Sequence, residues 1–199
     1  MSLRIPLTVK RCARRDTAGR VLYEHDEECL IPEQIVLRRW KARSKEDDAR
    51  SAGIRFDGCR LPSGTWTLLR QWMEEGLPTG DLTKASVLNE HAERNRTLGG
   101  KLRTPVSTKF ALMLGYLEKK KVLREIVARR RAVDTPGLPD LFLYRVDREG
   151  RVLGGRFVEV KRQGPTGVRE RLSSAQKEEL VFLRSLGLKA RVVYLLETM

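Results

Sequence analysis

Hydrophobic and polar positions alternate most clearly in the second half of the chain. From Asp140 to Arg162 (DLFLYRVDREGRVLGGRFVEVKR), two extended runs flank a polar Glu149–Gly150 pair, the pattern of a β-hairpin. With the turn at that pair, Asp140 falls opposite Glu159 and Phe142 opposite Phe157. Side chains alternate along a strand, so Asp140, Glu159 and Lys161 share one face. Leu141, Leu143, Val158 and Val160 take the other, an apolar face suited to a helix. Gly154–Gly155 is a place where a bulge would shift the register.

The flanking segments complete an α/β pattern. Ser107–Leu123 carries Phe110, Leu112, Met113, Leu114, Tyr116 and Leu117 at helical spacing and turns basic at Lys119–Lys121, which suits a helix C-terminus. Three extended segments are expected next, at Ile126–Val133, Asp140–Val146 and Arg156–Arg162. A helix over Ser174–Leu186 is closed by Gly187, and Ala190–Leu196 is a last β-branched strand. The order is helix, three strands, helix, strand, which predicts a mixed sheet flanked by helices.

The first half is less regular. Leu7–Val9 and Val21–Tyr23 flank an Asp16–Gly19 turn, and a helix is expected from Pro32 through Ile35, Val36, Leu37 and Trp40. Lys41–Arg50 reads as an exposed connection or a helix end. Further helices are expected at Trp66–Met73 and Lys84–Asn95, with Trp40, Trp66 and Trp72 as core residues. Gly99–Gly100 is the expected soft boundary between a mainly helical N-terminal extension (1–100) and the α/β domain (101–199).

Charge changes the picture. The 199 residues hold 40 Lys+Arg against 26 Asp+Glu, a net +14. Residues 1–100 account for 18 against 15 and residues 101–199 for 22 against 11, so +11 of the excess falls in the second half. A polyanion is the natural partner of such a half. Three dispersed cysteines (Cys12, Cys29, Cys59) and two histidines argue against a zinc cluster and make a reducing cytoplasm the expected compartment. No apolar run is long enough to span a bilayer, and no signal-peptide pattern opens the chain.

Two carboxylates facing each other across a hairpin repel, and a divalent cation relieves that repulsion. Asp140, Glu159 and the carbonyl of Val160 form an oxygen donor set of the kind Mg²⁺ takes. Lys161 is placed to orient or help deprotonate a water and to offset phosphate charge. Arg162, Arg169 and Arg171 surround the loop after this strand (RQGPTGVRER) and form a candidate phosphate clamp. Arg129–Arg131 is a second basic run, of which Arg130 is retained as a nucleic-acid contact. Ser173 and Gln176 have capping-box spacing.

These residues resemble a known family. Pro139–Asp140 followed by Glu159–Val160–Lys161 is similar to the PD-(D/E)xK nuclease signature. Gly137–Leu138–Pro139–Asp140–Leu141, Phe157–Val158–Glu159–Val160–Lys161, Leu172–Ser173–Ser174–Ala175–Gln176 and Leu186–Gly187–Leu188 resemble the VRR-NUC branch, over about residues 105–196. The resemblance implies a restriction-endonuclease-like core and hydrolysis of DNA phosphodiesters, with branched or structured DNA as substrate. It implies Asp140 and Glu159 as metal ligands for Mg²⁺, with Mn²⁺ able to substitute, Lys161 as catalytic lysine and Gln176 as a supporting residue. It also implies a glutamate from the first helix, for which Glu90, Glu93 and Glu118 are candidates. Glu93 is preferred, because Glu118 sits late in its helix. Small relatives imply a homodimer. An antibacterial DNase toxin, partnered by an immunity protein, would use the same chemistry. A non-catalytic DNA-binding module is the reading from another class.

Overall fold

The computed structural model describes residues 7–61, 107–132 and 137–198, together with isolated positions between 81 and 90. Seven strands form one sheet: β1 (Leu7–Arg15), β2 (Val21–His25), β3 (Glu28–Leu30), β4 (Arg55–Arg60), β5 (Leu141–Val146), β6 (Val152–Gln163) and β7 (Lys189–Thr198). Their spatial order is β3-β2-β1-β7-β6-β5-β4. β7 runs parallel to both β1 and β6, and every other pairing is antiparallel. The helices described from end to end are α1 (Pro32–Ala42), α2 (Asp47–Ser51), α3 (Thr108–Lys119), α4 (Leu123–Ala132) and α5 (Ser174–Ser185).

The β5–β6 hairpin has the expected register, with Leu141 opposite Val158 and Phe142 opposite Phe157. One irregularity follows, between Arg145 and Val146, beside the two glycines. Gly150 takes the left-handed conformation that the tight turn demands (φ 79°). The alternation sorts the hairpin into two cores. Phe142, Tyr144 and Phe157 pack with Phe110, Met113 and Leu114 of α3 and with Leu180 and Leu183 of α5. Leu141, Leu143, Val158 and Val160 pack with Ile35, Val36 and Trp40 of α1. Pro32 opens α1 at its first position, where no amide donor is needed. Trp40 anchors the far end, its indole N–H reaching the carbonyls of Asp57 (3.0 Å) and Tyr144 (3.1 Å).

The order helix, three strands, helix, strand is present, but it is built from other elements than those expected. It runs α1, β4, β5, β6, α5, β7, so its first helix and strand come from the N-terminal half. Of the strand expected at Ile126–Val133, the described residues Ile126–Ala132 belong to helix α4. Leu123, Ile126 and Val127 are its buried residues, and spacings of three and four suit a helical stripe, whereas a strand would need alternation. The described part of the N-terminal half holds four strands, β1 to β4, beside helices α1 and α2. It is also continuous with the rest of the molecule, since β1 pairs with β7 and β4 with β5. A boundary at residue 100 therefore does not separate two sheets. Trp66, Trp72, Glu93, Gly99 and Gly100 lie outside the described residues, as does most of the helix expected at Lys84–Asn95. Of the three cysteines, Cys12 and Cys29 form a disulfide across the β1–β3 region, with Cα atoms 6.2 Å apart, and Cys59 is buried and unbonded. Among the described residues no helix is long and apolar enough to cross a membrane.

Candidate active site

Asp140 lies one residue before β5, where two contacts fix it. Its carboxylate accepts the Val160 N–H (2.7 Å), and its carbonyl accepts the Leu61 N–H (2.8 Å) at the end of β4. Glu159 and Lys161 point to the same face from β6. Glu159 is almost completely buried (1% exposed), and the Lys161 ammonium lies 3.0 Å from its carboxylate. A surface ion pair of this kind would be worth little; this one is enclosed. Lys161 also lies 3.6 Å from Glu170, which in turn bonds Arg162 at 3.0 Å.

Gln176 combines two roles. Its side-chain carbonyl accepts the Ser173 N–H (3.0 Å), completing the capping box of α5, and its amide donates to Glu159. The helix start is therefore tied to the carboxylate. Val160 is held at its N–H by Asp140. A residue's N–H and C=O point to the same edge of a strand, so the Val160 carbonyl faces the side on which Asp140 lies.

The electrostatics are those of a site short of positive charge. Burial pushes the Glu159 carboxyl up to about 7, and the neighbouring Asp140 charge adds to the shift. Burial also raises Asp140, aided by Glu33 and Glu170 and opposed by the Val160 N–H and Lys161. Burial works against the charge on Lys161, yet Glu159, Glu170 and Asp140 hold its ammonium above the usual lysine value. Glu33 is the site residue that sequence reasoning missed. It sits in the first turn of α1, its charge bears on Asp140, and one of its carboxylate oxygens is buried without a hydrogen-bond partner. A glutamate directly after a helix-starting proline was the available signal.

The remaining candidates are more scattered. Arg169 and Arg171 are exposed beside the site. Arg169 bonds Gln163 (2.9 Å) and stacks over Tyr194 (5.0 Å), whereas Arg162 is engaged by Glu170. Arg130 lies on α4, not on a strand, and its side chain is outside the described residues. Glu118 is exposed near the end of α3, and Glu90 is exposed at one of the isolated described positions.

The family model for the VRR-NUC domain matches residues 113–195, a span that holds Asp140, Glu159, Lys161 and Gln176. Residues 113–195 are a VRR-NUC domain. The helix bearing Glu33 and strands β1 to β4 precede the matched span of that VRR-NUC domain, although β1 and β4 flank it in the sheet. No curated protein matches the chain significantly. Among solved structures, the crystal structure of paFAN1 bound to 2nt 5′-flap DNA with a gap is similar at 21% identity and a TM-score of 0.37, over 88% of this chain. The chain spans 36% of that protein's length.

The residues of this candidate site fit a divalent cation. Two carboxylates, both held above their ordinary values, sit with a third bearing on them, and their oxygens are hard donors. Among the described residues no three acidic, histidine or cysteine side chains converge as a complete cage. Magnesium is commonly held by one or two carboxylates, with water completing its shell.

A pH dependence follows. Glu159 titrates near 7 in the folded, metal-free protein, against 4.5 ordinarily. Its contribution to stability is therefore present below the ordinary value and lost as pH rises through that window. Cation binding requires the ionised form. The rise in Tm on adding Mg²⁺ is thus expected to be larger at about pH 8 than at about pH 6, with apparent affinity falling up to about tenfold per pH unit below 7. Equal shifts at both pH values in thermal denaturation would refute this.

Proposed function

We propose that the protein is a divalent-metal-dependent DNA nuclease acting on branched or structured DNA. The observation that carries this reading is the enclosed cluster of Asp140, Glu159 and Lys161 on one face of the β5–β6 hairpin, with Gln176 fixed against Glu159. The VRR-NUC match and the net charge of +11 in the second half support it. Asp140, Glu159 and the Val160 carbonyl are the groups that would hold Mg²⁺ or Mn²⁺, with Glu33 adding charge from α1. A cation there supplies Lewis acidity, making a water nucleophilic near neutral pH and offsetting charge on the phosphate. Gln176 holds the Glu159 carboxylate in place through its side-chain amide. Lys161, held charged, orients the attacking water and donates to a phosphate oxygen; its raised pKa makes it a poor base. Arg169 and Arg171 present exposed guanidinium groups to the phosphates on either side.

The test is cleavage of labelled single-stranded, duplex, flap and four-way DNA by the purified chain, in Mg²⁺, Mn²⁺ or EDTA. Metal-dependent cutting that prefers branched substrates, and is abolished in Asp140→Asn, is expected. Cutting in EDTA, or by Asp140→Asn at the wild-type rate, would remove the proposal.

A further inference from the structure

A second concentration of charge lies at the other end of the sheet. On the face covered by α1, the register places Arg145 of β5 beside Gly154, and Arg156 of β6 beside Lys189 of β7, with Arg191 next on that face beside Val158. Arg43 caps the C-terminus of α1 at the same end. The Arg156 guanidinium is half-buried and stacks on Trp40, 4.9 Å from the ring centre. Arg43 stacks on that ring too (5.4 Å) and on Phe56 (4.8 Å).

Burial and the charges of Arg191, Arg43 and Arg145 all lower the pKa of Arg156, and among the described residues no acidic group offsets them. Among the described residues the one acid paired with this cluster is Glu46, which bonds Arg43 at 3.3 Å. Stacking on Trp40 explains why Arg156 is held in place. It does not explain why Arg145, Arg191 and Lys189 stand exposed around it, since like charges crowded together destabilise a fold.

The cluster is separate from the carboxylate site. Arg156 precedes Glu159 by three residues and Lys161 by five, roughly 10 to 17 Å along the strand, and its side chain points to the opposite face. It spans three strands, about 10 Å across, which is wider than a single phosphate. We infer that Arg145, Arg156, Lys189 and Arg191 form a second phosphate-backbone site, gripping a part of a long nucleic acid away from the cleavage point. This inference rests on the nucleic-acid reading proposed above, and its test separates the two.

The experiment is fluorescence anisotropy on the full chain in EDTA. The probes are a duplex of about 8 base pairs and a four-way junction with arms of about 20 base pairs. An Arg145→Gln/Arg191→Gln double variant alters exposed positions and leaves the Arg156 stack on Trp40 in place. On the junction, its Kd is expected to rise about tenfold or more, with the salt slope reduced by about two. On the short duplex, binding and Mg²⁺-dependent cutting should match wild type. Wild-type protein gives an independent readout, a salt slope steeper on the junction than on the duplex. Unchanged junction affinity in a variant that still cuts overturns the second site and leaves the nuclease reading intact. Variant-sensitive junction binding by a protein that never cuts does the reverse. Stabilisation by inorganic phosphate that is lost in the variant, with junction affinity unchanged, would assign the cluster to a small anion and overturn the inference.

Discussion

Lys161→Ala is expected to slow single-turnover DNA cleavage by about 10²- to 10³-fold, the usual cost of losing one preorganised charge or donor at a reacting centre. The same substitution should tighten Mg²⁺ binding. Lys161 is a cation 3.0 Å from Glu159 and bears on Asp140 as well, so it competes electrostatically with any second cation brought to those carboxylates. The comparison belongs at about pH 9, where Glu159 is ionised with or without its lysine. Asp140→Asn should also slow cutting, but it removes a donor and so weakens Mg²⁺ binding. Opposite movements of metal affinity with a shared loss of rate distinguish a lysine that acts on the reaction from one that only fills space. Calorimetric Mg²⁺ titrations alongside quench-flow cleavage measure both quantities. Wild-type cutting by Lys161→Ala would remove the lysine from the chemistry. Weaker metal binding in both variants would show that it serves only to hold the carboxylates in place.

The local parts of this site were readable because short-range rules govern them. A two-residue turn and period-two alternation suffice to bring Asp140 opposite Glu159, and the spacing of Ser173 and Gln176 suffices for a capping box. What was not readable depends on long-range pairing. β4 adds to β5 across a chain separation of about eighty residues, and no turn signal links Arg60 to Leu141. α1 was legible as a helix from Pro32, Ile35, Val36 and Trp40. Its place against Leu141 and Val160, and therefore the closeness of Glu33 to Asp140, was not. The misreading of Ile126–Val133 had a different origin. Ile126 and Val127 are β-branched neighbours that favour a strand locally, but Leu123 and Ile126 form a buried stripe against the core of α3 and α5, and packing overrides propensity. The Cys12–Cys29 bond is another long-range consequence, because only the β1–β2–β3 fold-back brings the two together.

Gly137→Ala is expected to impair cleavage about 100-fold although it removes no functional group. A Cβ at this position would stand 2.1 Å from the Ala175 carbonyl oxygen and 2.8 Å from the Gln176 nitrogen. Both are backbone atoms of the first turn of α5, so no side chain can rotate away. The lead-in to Asp140 and the start of α5 must separate by about 1 Å, and misplacement on that scale commonly costs about two orders of magnitude in rate. The two segments carry Asp140 and Gln176, and Gln176 holds Glu159, so the displacement falls on the spacing of the carboxylates. Overpacking should also reduce stability by about 1–3 kcal/mol. Gly150→Ala is the comparison. Its left-handed backbone (φ 79°) makes alanine strained, yet nothing lies within 4 Å of the added Cβ, and the turn is at the far end of the hairpin. Both variants should melt earlier than wild type in thermal denaturation, while only Gly137→Ala loses cleavage rate at saturating Mg²⁺. If Gly137→Ala cuts as fast as Gly150→Ala, the contact between the Gly137 segment and α5 does not set the geometry of the site.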